Sequence, residues 1–168
     1  MSSSKPIGLF TVRDEDIEKI LNMKLRDVVK ELGEPLVIEE DMPVDIFIDS
    51  IKRSGRECAV VIGKDNKVRG IVTLFDLLKI LEFKEPRHMP FYRLMTFSLR
   101  RTRGKIMVGD IMTRHPIMLE GENTVRDAVD LMIRLKISHI IVMEGDRILG
   151  VINKRYMLHR LFGLEEIY

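Results

Sequence analysis

The chain is nearly a doubled sequence. Slid against itself by about 80 residues, segment 23–81 aligns with 106–161. Asp27 falls on Asp110 at an offset of 83, and Pro35, Val44 and Val61 fall on Pro116, Val125 and Val142 at 81. Gly70, Leu78 and Leu81 then fall on Gly150, Leu158 and Leu161 at 80. The two register steps, near Leu32–Glu34 and Asn66–Lys67, lie in loop-like sequence, where extra residues cost little chain entropy. A repeat of this size constrains the fold more than any other feature, because units of some 55 residues hold too little core to stand alone and must cover one another.

Each repeat carries the same order of local signals. An extended run (Leu36–Ile38; Ile117–Leu119) follows a proline, which biases its neighbourhood away from helix. A helix comes next, with Val44, Phe47, Ile48 and Ile51 at helical spacing in the first copy and Val125, Ala128, Val129 and Met132 in the second. Pro43 suits its first turn, and Thr124 with Asp127 makes a capping box. Apolar strands Ala59–Ile62 and Ile140–Met143 meet short polar turns and return as Val68–Val72 and Ile148–Ile152, two hairpins. A last helix carries Leu74, Leu77, Leu78 and Leu81, then Met157, Leu158 and Leu161. The expected fold is α/β (α+β), β-α-β-β-α twice. Its parts are an N-terminal extension 1–22 with a helix over Asp14–Leu21, repeats at 23–81 and 106–168, and a linker 82–105.

Composition narrows the function. Of 168 residues, 45% are hydrophobic and 32% charged, a globular balance. A net charge of +2 favours neither nucleic acid nor membrane as partner. The single cysteine, Cys58, excludes an intrachain disulfide and a cysteine-built zinc cage, which points to a reducing, cytoplasmic setting. No apolar run approaches the roughly 18 residues that would span a bilayer, and the first residues lack the apolar core of a signal peptide. The absence of Gln and the presence of only four Asn lean towards a heat-adapted host. No nucleophile elbow, P-loop or glycine-rich dinucleotide motif occurs, and His88, His115, His139 and His159 lack metal-ligand spacing, so the reading is non-catalytic.

The stretch Lys24–Val29, Pro35-Leu36-Val37, the helix 43–54, Ala59–Ile62 and above all Gly70-Ile71-Val72-Thr73-Leu74-Phe75-Asp76 resemble a CBS domain. Val108-Gly109-Asp110-Ile111-Met112-Thr113, with Pro116-Ile117-Met118 through Gly150-Val151-Ile152, resembles a second. The resemblance implies a stand-alone CBS pair, a Bateman module of two pseudo-symmetric repeats packed sheet to sheet. Such a pair is a regulatory binder of an adenosine-containing ligand (AMP, ADP, ATP, NAD or S-adenosylmethionine). It would form a homodimer and pass ligand state to an effector protein whose identity the sequence does not give.

The ligand chemistry also has a footing in the residues. A carboxylate has two acceptor oxygens and can receive both hydroxyl protons of a ribose diol, which suits Asp76. Thr73, three residues earlier, can donate to a ribose or phosphate oxygen. Thr73-x-x-Asp76 is equally an ordinary capping box, and one residue can serve both ends. Carried over from the family, the Asp76 site takes Ile71 and Thr73 from the strand, Ile117 and Met118 flanking the adenine, Ser138, His139 and Ile141 on the next wall, and Arg155 as a phosphate contact. Each has a plainer reading: Ile117, Met118 and Ile141 as core, His139 as structural, Arg155 as solvated. The equivalent second site departs from the pattern. Tyr156 replaces the Asp, Asn153 the Thr, and Phe75 stands where Arg155 stands, while Leu36, Val37 and Val60 with Glu57 form its wall. That site reads as empty or altered, with the Tyr156 ring filling the ribose space.

The linker is the remaining signal. Seven basic residues against Glu82 and Glu85 give 82–105 a net +5 and leave −3 for the rest of the chain. Arg93, Arg100, Arg101 and Arg103 alternate with Phe91, Tyr92 and Phe97, a composition suited to nucleic acid or an acidic partner. A solvated connecting helix explains it equally. A nucleic-acid-associated protein and a ligand-free dimerisation module are therefore the alternatives.

Overall fold

The computed structural model describes residues 13–80 and 106–163. The basic segment 82–105 and the pairing of Leu81 with Leu161 lie outside the described residues. The chain divides into two compact units, one of Pro35–Pro116 and one of Met1–Glu34 with Ile117–Tyr168.

In the unit Pro35–Pro116, β1 (Val37–Glu39) runs parallel to β2 (Cys58–Ile62), and β2 pairs antiparallel with β3 (Val68–Thr73). Helix α3 (Val44–Ser54) crosses between β1 and β2. Its buried residues Val44, Phe47 and Ile51 recur at the three- and four-residue steps of one helix face. Pro43 precedes the helix as its N-cap in extended conformation instead of entering the first turn, and Gly55, at φ +64, closes the far end. One face of the sheet presents Ile38, Ala59, Val61 and Val72 to that helix and to α4 (Val108–Ile111). An edge strand the sequence did not suggest, β4 (Thr113–Arg114), adds antiparallel to β3.

The other unit repeats the plan. β5 (Met118–Glu120) is parallel to β6 (His139–Glu144), which pairs antiparallel with β7 (Arg147–Asn153). Helix α5 (Val125–Leu135) starts at the expected capping box, where Asp127 Oδ2 accepts from Thr124 N–H at 2.8 Å and Thr124 Oγ1 accepts from Asp127 N–H at 3.3 Å. These bonds, with Asn123, hold the Asp127 carboxyl below its ordinary range. The last helix is α6 (Lys154–Phe162). Helix α1 (Asp14–Leu21) packs Ile17, Ile20 and Leu21 on this core, and Glu18 accepts from Arg126 at 2.7 Å.

The two repeats exchange their first helices. Helix α2 (Leu25–Leu32), which opens the first sequence repeat, buries Leu25, Val28 and Val29 in the core of the second sheet. Its counterpart α4, which opens the second repeat, buries Val108 and Ile111 in the core of the first. Paired bridges mark the two crossings, Lys24 with Thr124 and Pro43 with Met107. The first step matches extra residues in the first repeat, where Pro35 follows Asp27 by eight positions while Pro116 follows Asp110 by six. The second matches a hairpin longer by one residue at 63–67.

The last element of the two repeats differs. Leu74–Leu78, expected as an α-helix, is a 3-10 helix in which Leu77 packs on the core while Leu74 and Leu78 are exposed. Asp76 reaches back to the N–H and the hydroxyl of Thr73 at the start of this turn.

Candidate functional site

Alternation along a strand sends neighbouring side chains to opposite faces, so the residues not used by the helical cores define a second face in each unit. In the first sheet the register aligns Val37 with Val60 and Val60 with Ile71, and pairs Cys58 with Thr73. Val37, Cys58, Val60, Ile71 and Thr73 thus share the face away from α3. In the second, Met118 pairs with Ile141, Ile141 with Val151, and His139 with Asn153. These residues share the face away from α5. The expected residues Ile71 and Thr73, and Met118, His139 and Ile141, all belong to faces of this kind.

Asp76 follows Thr73 at the end of β3. It is the one buried charged residue among those described, at 8% exposure. Its Oδ2 accepts from Thr73 N–H at 2.7 Å and from Thr73 Oγ1 at 3.0 Å. Its Oδ1 meets Lys79 Nζ at 2.6 Å, and the same ammonium donates to the Ile111 carbonyl at 2.7 Å. The capping reading of Thr73-x-x-Asp76 is therefore realised. A carboxylate offers about four acceptor positions, and three are engaged here. Among the described residues one position on Oδ1 has no hydrogen-bond partner, and a second becomes available when the Thr73 hydroxyl rotates to another acceptor. Lys79 escaped the sequence reading. Its spacing from Asp76 was visible, but the carbonyl that fixes it lies 32 residues further along.

The remaining expected residues belong to the other unit. Met118 is 47% exposed, Ile141 fully buried, His139 half-buried, and Ser138 and Arg155 exposed. The Ser138 carbonyl accepts from Lys154 N–H at 3.0 Å, which sets the start of α6 beside the β6 entrance. Ile117 departs from its neighbour. Its side chain packs on the helical core, and only its backbone, whose carbonyl accepts from Ile141 N–H at 3.0 Å, borders the strand pair.

At the place equivalent to Asp76 stands Tyr156. Its ring packs against the core and its hydroxyl donates to Glu31 Oε2 of α2 at 2.8 Å. Arg160 holds the other Glu31 oxygen at 3.0 Å. Burial, the hydrogen bond to Glu31 and that carboxylate's charge push the Tyr156 phenol up to about 12. Asn153 caps α6 through Tyr156 N–H at 2.8 Å. Burial and the neighbouring Glu57 push the Cys58 thiol up to about 11, which leaves it a neutral, weakly reactive group. Among the described residues no group of three or more His, Cys, Asp or Glu side chains could hold a metal ion, and no helix is long and apolar enough to cross a membrane.

Comparison with known proteins agrees with this architecture. The CBS domain family model matches residues 24–82 and 108–163. The CBS domain of a CBS domain containing membrane protein from Sphaerobacter thermophilus superposes with a TM-score of 0.66, at 21% identity, over 92% of this chain and 94% of that one. A CBS domain pair in complex with 5′-methylthioadenosine and S-adenosyl-L-methionine gives 0.63 at 18% identity, over 84% and 97% of the two chains. CBSX2 in complex with AMP gives 0.56 at 18%, over 86% and 93%. Two matches of one family model in tandem, covering most of the chain, on sheets that share a three-strand plan: the chain belongs to the CBS domain family, as a CBS pair.

Proposed function

We propose that this chain is a cytoplasmic regulatory module that binds one adenosine-containing ligand, an adenine nucleotide or S-adenosylmethionine, and performs no catalysis. Asp76 holds the ribose diol, Thr73 donates to the ribose or phosphate, and Ile71 with Met118, His139 and Ile141 provides the surface for the base. Ser138 and Arg155 complete the polar contacts.

One observation carries this reading. The chain keeps a nearly buried carboxylate beside a threonine in one repeat, and in the other puts a tyrosine whose hydroxyl is already engaged. Burying a carboxylate is costly, and a helix cap does not require it, as the exposed Asp127 cap demonstrates. The AMP, S-adenosylmethionine and methylthioadenosine complexes of related folds support the ligand class.

Calorimetric titration with AMP, ATP, NAD and S-adenosylmethionine tests the reading. One of them is expected to bind at about one per chain, and Asp76→Ala to abolish most of that affinity. Binding unchanged in folded Asp76→Ala puts the ligand elsewhere. Binding of none of the panel leaves a structural module.

A further inference from the structure

We propose that Lys79 is a positioning residue for ligand recognition: its ammonium, fixed between Asp76 Oδ1 and the Ile111 carbonyl, aims the Asp76 carboxylate at the ribose diol. The proposal rests on the adenosine-ligand reading above and adds a specific determinant to it.

The geometry makes the ammonium a strut and not a surface ion pair. Lys79 Nζ lies 2.6 Å from Asp76 Oδ1 and 2.7 Å from the Ile111 carbonyl oxygen. Its side chain is 37% exposed, against 10% for Asp76. Asp76 Oδ2 is fixed by Thr73 from the opposite side. A carboxylate gripped at only one oxygen can still rotate about its last side-chain bond. Gripped at both, it presents its free Oδ1 position, and the Oδ2 position that the Thr73 hydroxyl can vacate, in fixed directions. A diol is recognised only if both of its hydroxyls find acceptors at once, so fixing those directions selects for two vicinal hydroxyls over one. The Ile111 carbonyl ends α4, so the strut also ties the recognition carboxylate to the exchanged segment.

The test compares AMP with 2′-deoxy-AMP and 3′-deoxy-AMP by calorimetry, on wild type, Lys79→Met and Lys79→Arg, after thermal melts confirm folding. Lys79→Gln, which keeps a donor for Ile111, replaces Lys79→Met should that variant not fold. Wild type is expected to prefer AMP over either deoxy form by roughly tenfold or more, the value of a charge-assisted hydrogen bond. In Lys79→Met that preference should collapse to about threefold or less with deoxy-AMP affinity nearly unchanged, and Lys79→Arg should restore part of it. Three outcomes overturn the proposal: a preference unaltered in Lys79→Met, equal weakening of AMP and the deoxy forms, or tighter AMP binding once the competing ammonium is gone. A wild type that binds AMP without preferring it over the deoxy forms overturns the ribose reading of Asp76 itself, which is a different failure.

Discussion

Asp76 and Tyr156 occupy the same place in two copies of one design, and their surroundings differ. Asp76 is an acceptor with capacity left over; Tyr156 has its only proton committed to Glu31. Asp76→Ala should lose two charge-assisted hydrogen bonds to ligand, about 2–4 kcal/mol or roughly 30- to 1000-fold in affinity. The lost cap should cost the fold only about 0.5–2 kcal/mol. Tyr156→Ala should leave affinity and the stoichiometry of one unchanged in the same titration. The phenol also makes a prediction of its own. Its folded pKa, about 12, lies above the ordinary value of 10, so the folded state keeps a proton the unfolded chain gives up. Stability from this group is complete below pH 10 and is lost as pH rises from 10 towards 12. Urea melts of wild type and Tyr156→Phe should therefore converge across that window, and a constant gap between them would overturn the assignment. Thr73 and Asp76 were legible as a motif because they are three residues apart. Lys79 and the Glu31 partner of Tyr156 were not, because one depends on a carbonyl 32 residues along the chain and the other on a carboxylate 125 residues away.

The elements were mostly legible, since helical spacing and strand alternation are local properties. The exchange of α2 and α4 between the sheets was not. Leu25, Val28 and Val29 announce an apolar face but not the sheet that receives it. One trace of the exchange was visible without being understood: Gly70 and Gly150 recur at equivalent places in β3 and β7. Neither has a positive φ, so backbone freedom does not explain them. Space does. A Cβ on Gly70 would stand 2.6 Å from the Thr113 carbonyl oxygen of β4, and one on Gly150 would stand 2.9 Å from Val29 Cβ of α2. Gly150 lets α2 lie directly on its sheet, and Gly70 lets the segment that follows α4 pair closely beside β3. Gly70→Ala and Gly150→Ala should each destabilise by about 1–3 kcal/mol through overpacking. Gly70→Ala should suffer more, because its neighbour is backbone and cannot turn aside. Chemical denaturation measures both, and a neutral Gly70→Ala would mean that β4 yields without cost.

At the scale of the whole molecule, the sequence repeats and the compact units do not coincide, because each repeat gives its first helix to the other unit. Periodicity reported the repeats correctly and could not report the exchange, which depends on contacts between segments far apart in the chain. The same scale carries the prediction of self-association. Helices α3 and α5 bury one face each, yet Ile46 and Ile133 stand 45% and 68% exposed on their outer sides, with Leu135 at 49%. Apolar side chains on the outward side of both equivalent helices are what an isologous contact between two copies would cover. Light scattering at micromolar concentration should therefore give twice the chain mass, and Ile46→Asp combined with Ile133→Asp should reduce it to one. These positions contribute little to their own cores, so the double variant should melt as a folded protein and still bind ligand through Asp76. A wild-type monomer would leave those side chains without a function in self-association. A double variant that remains dimeric would place the contact on some other surface.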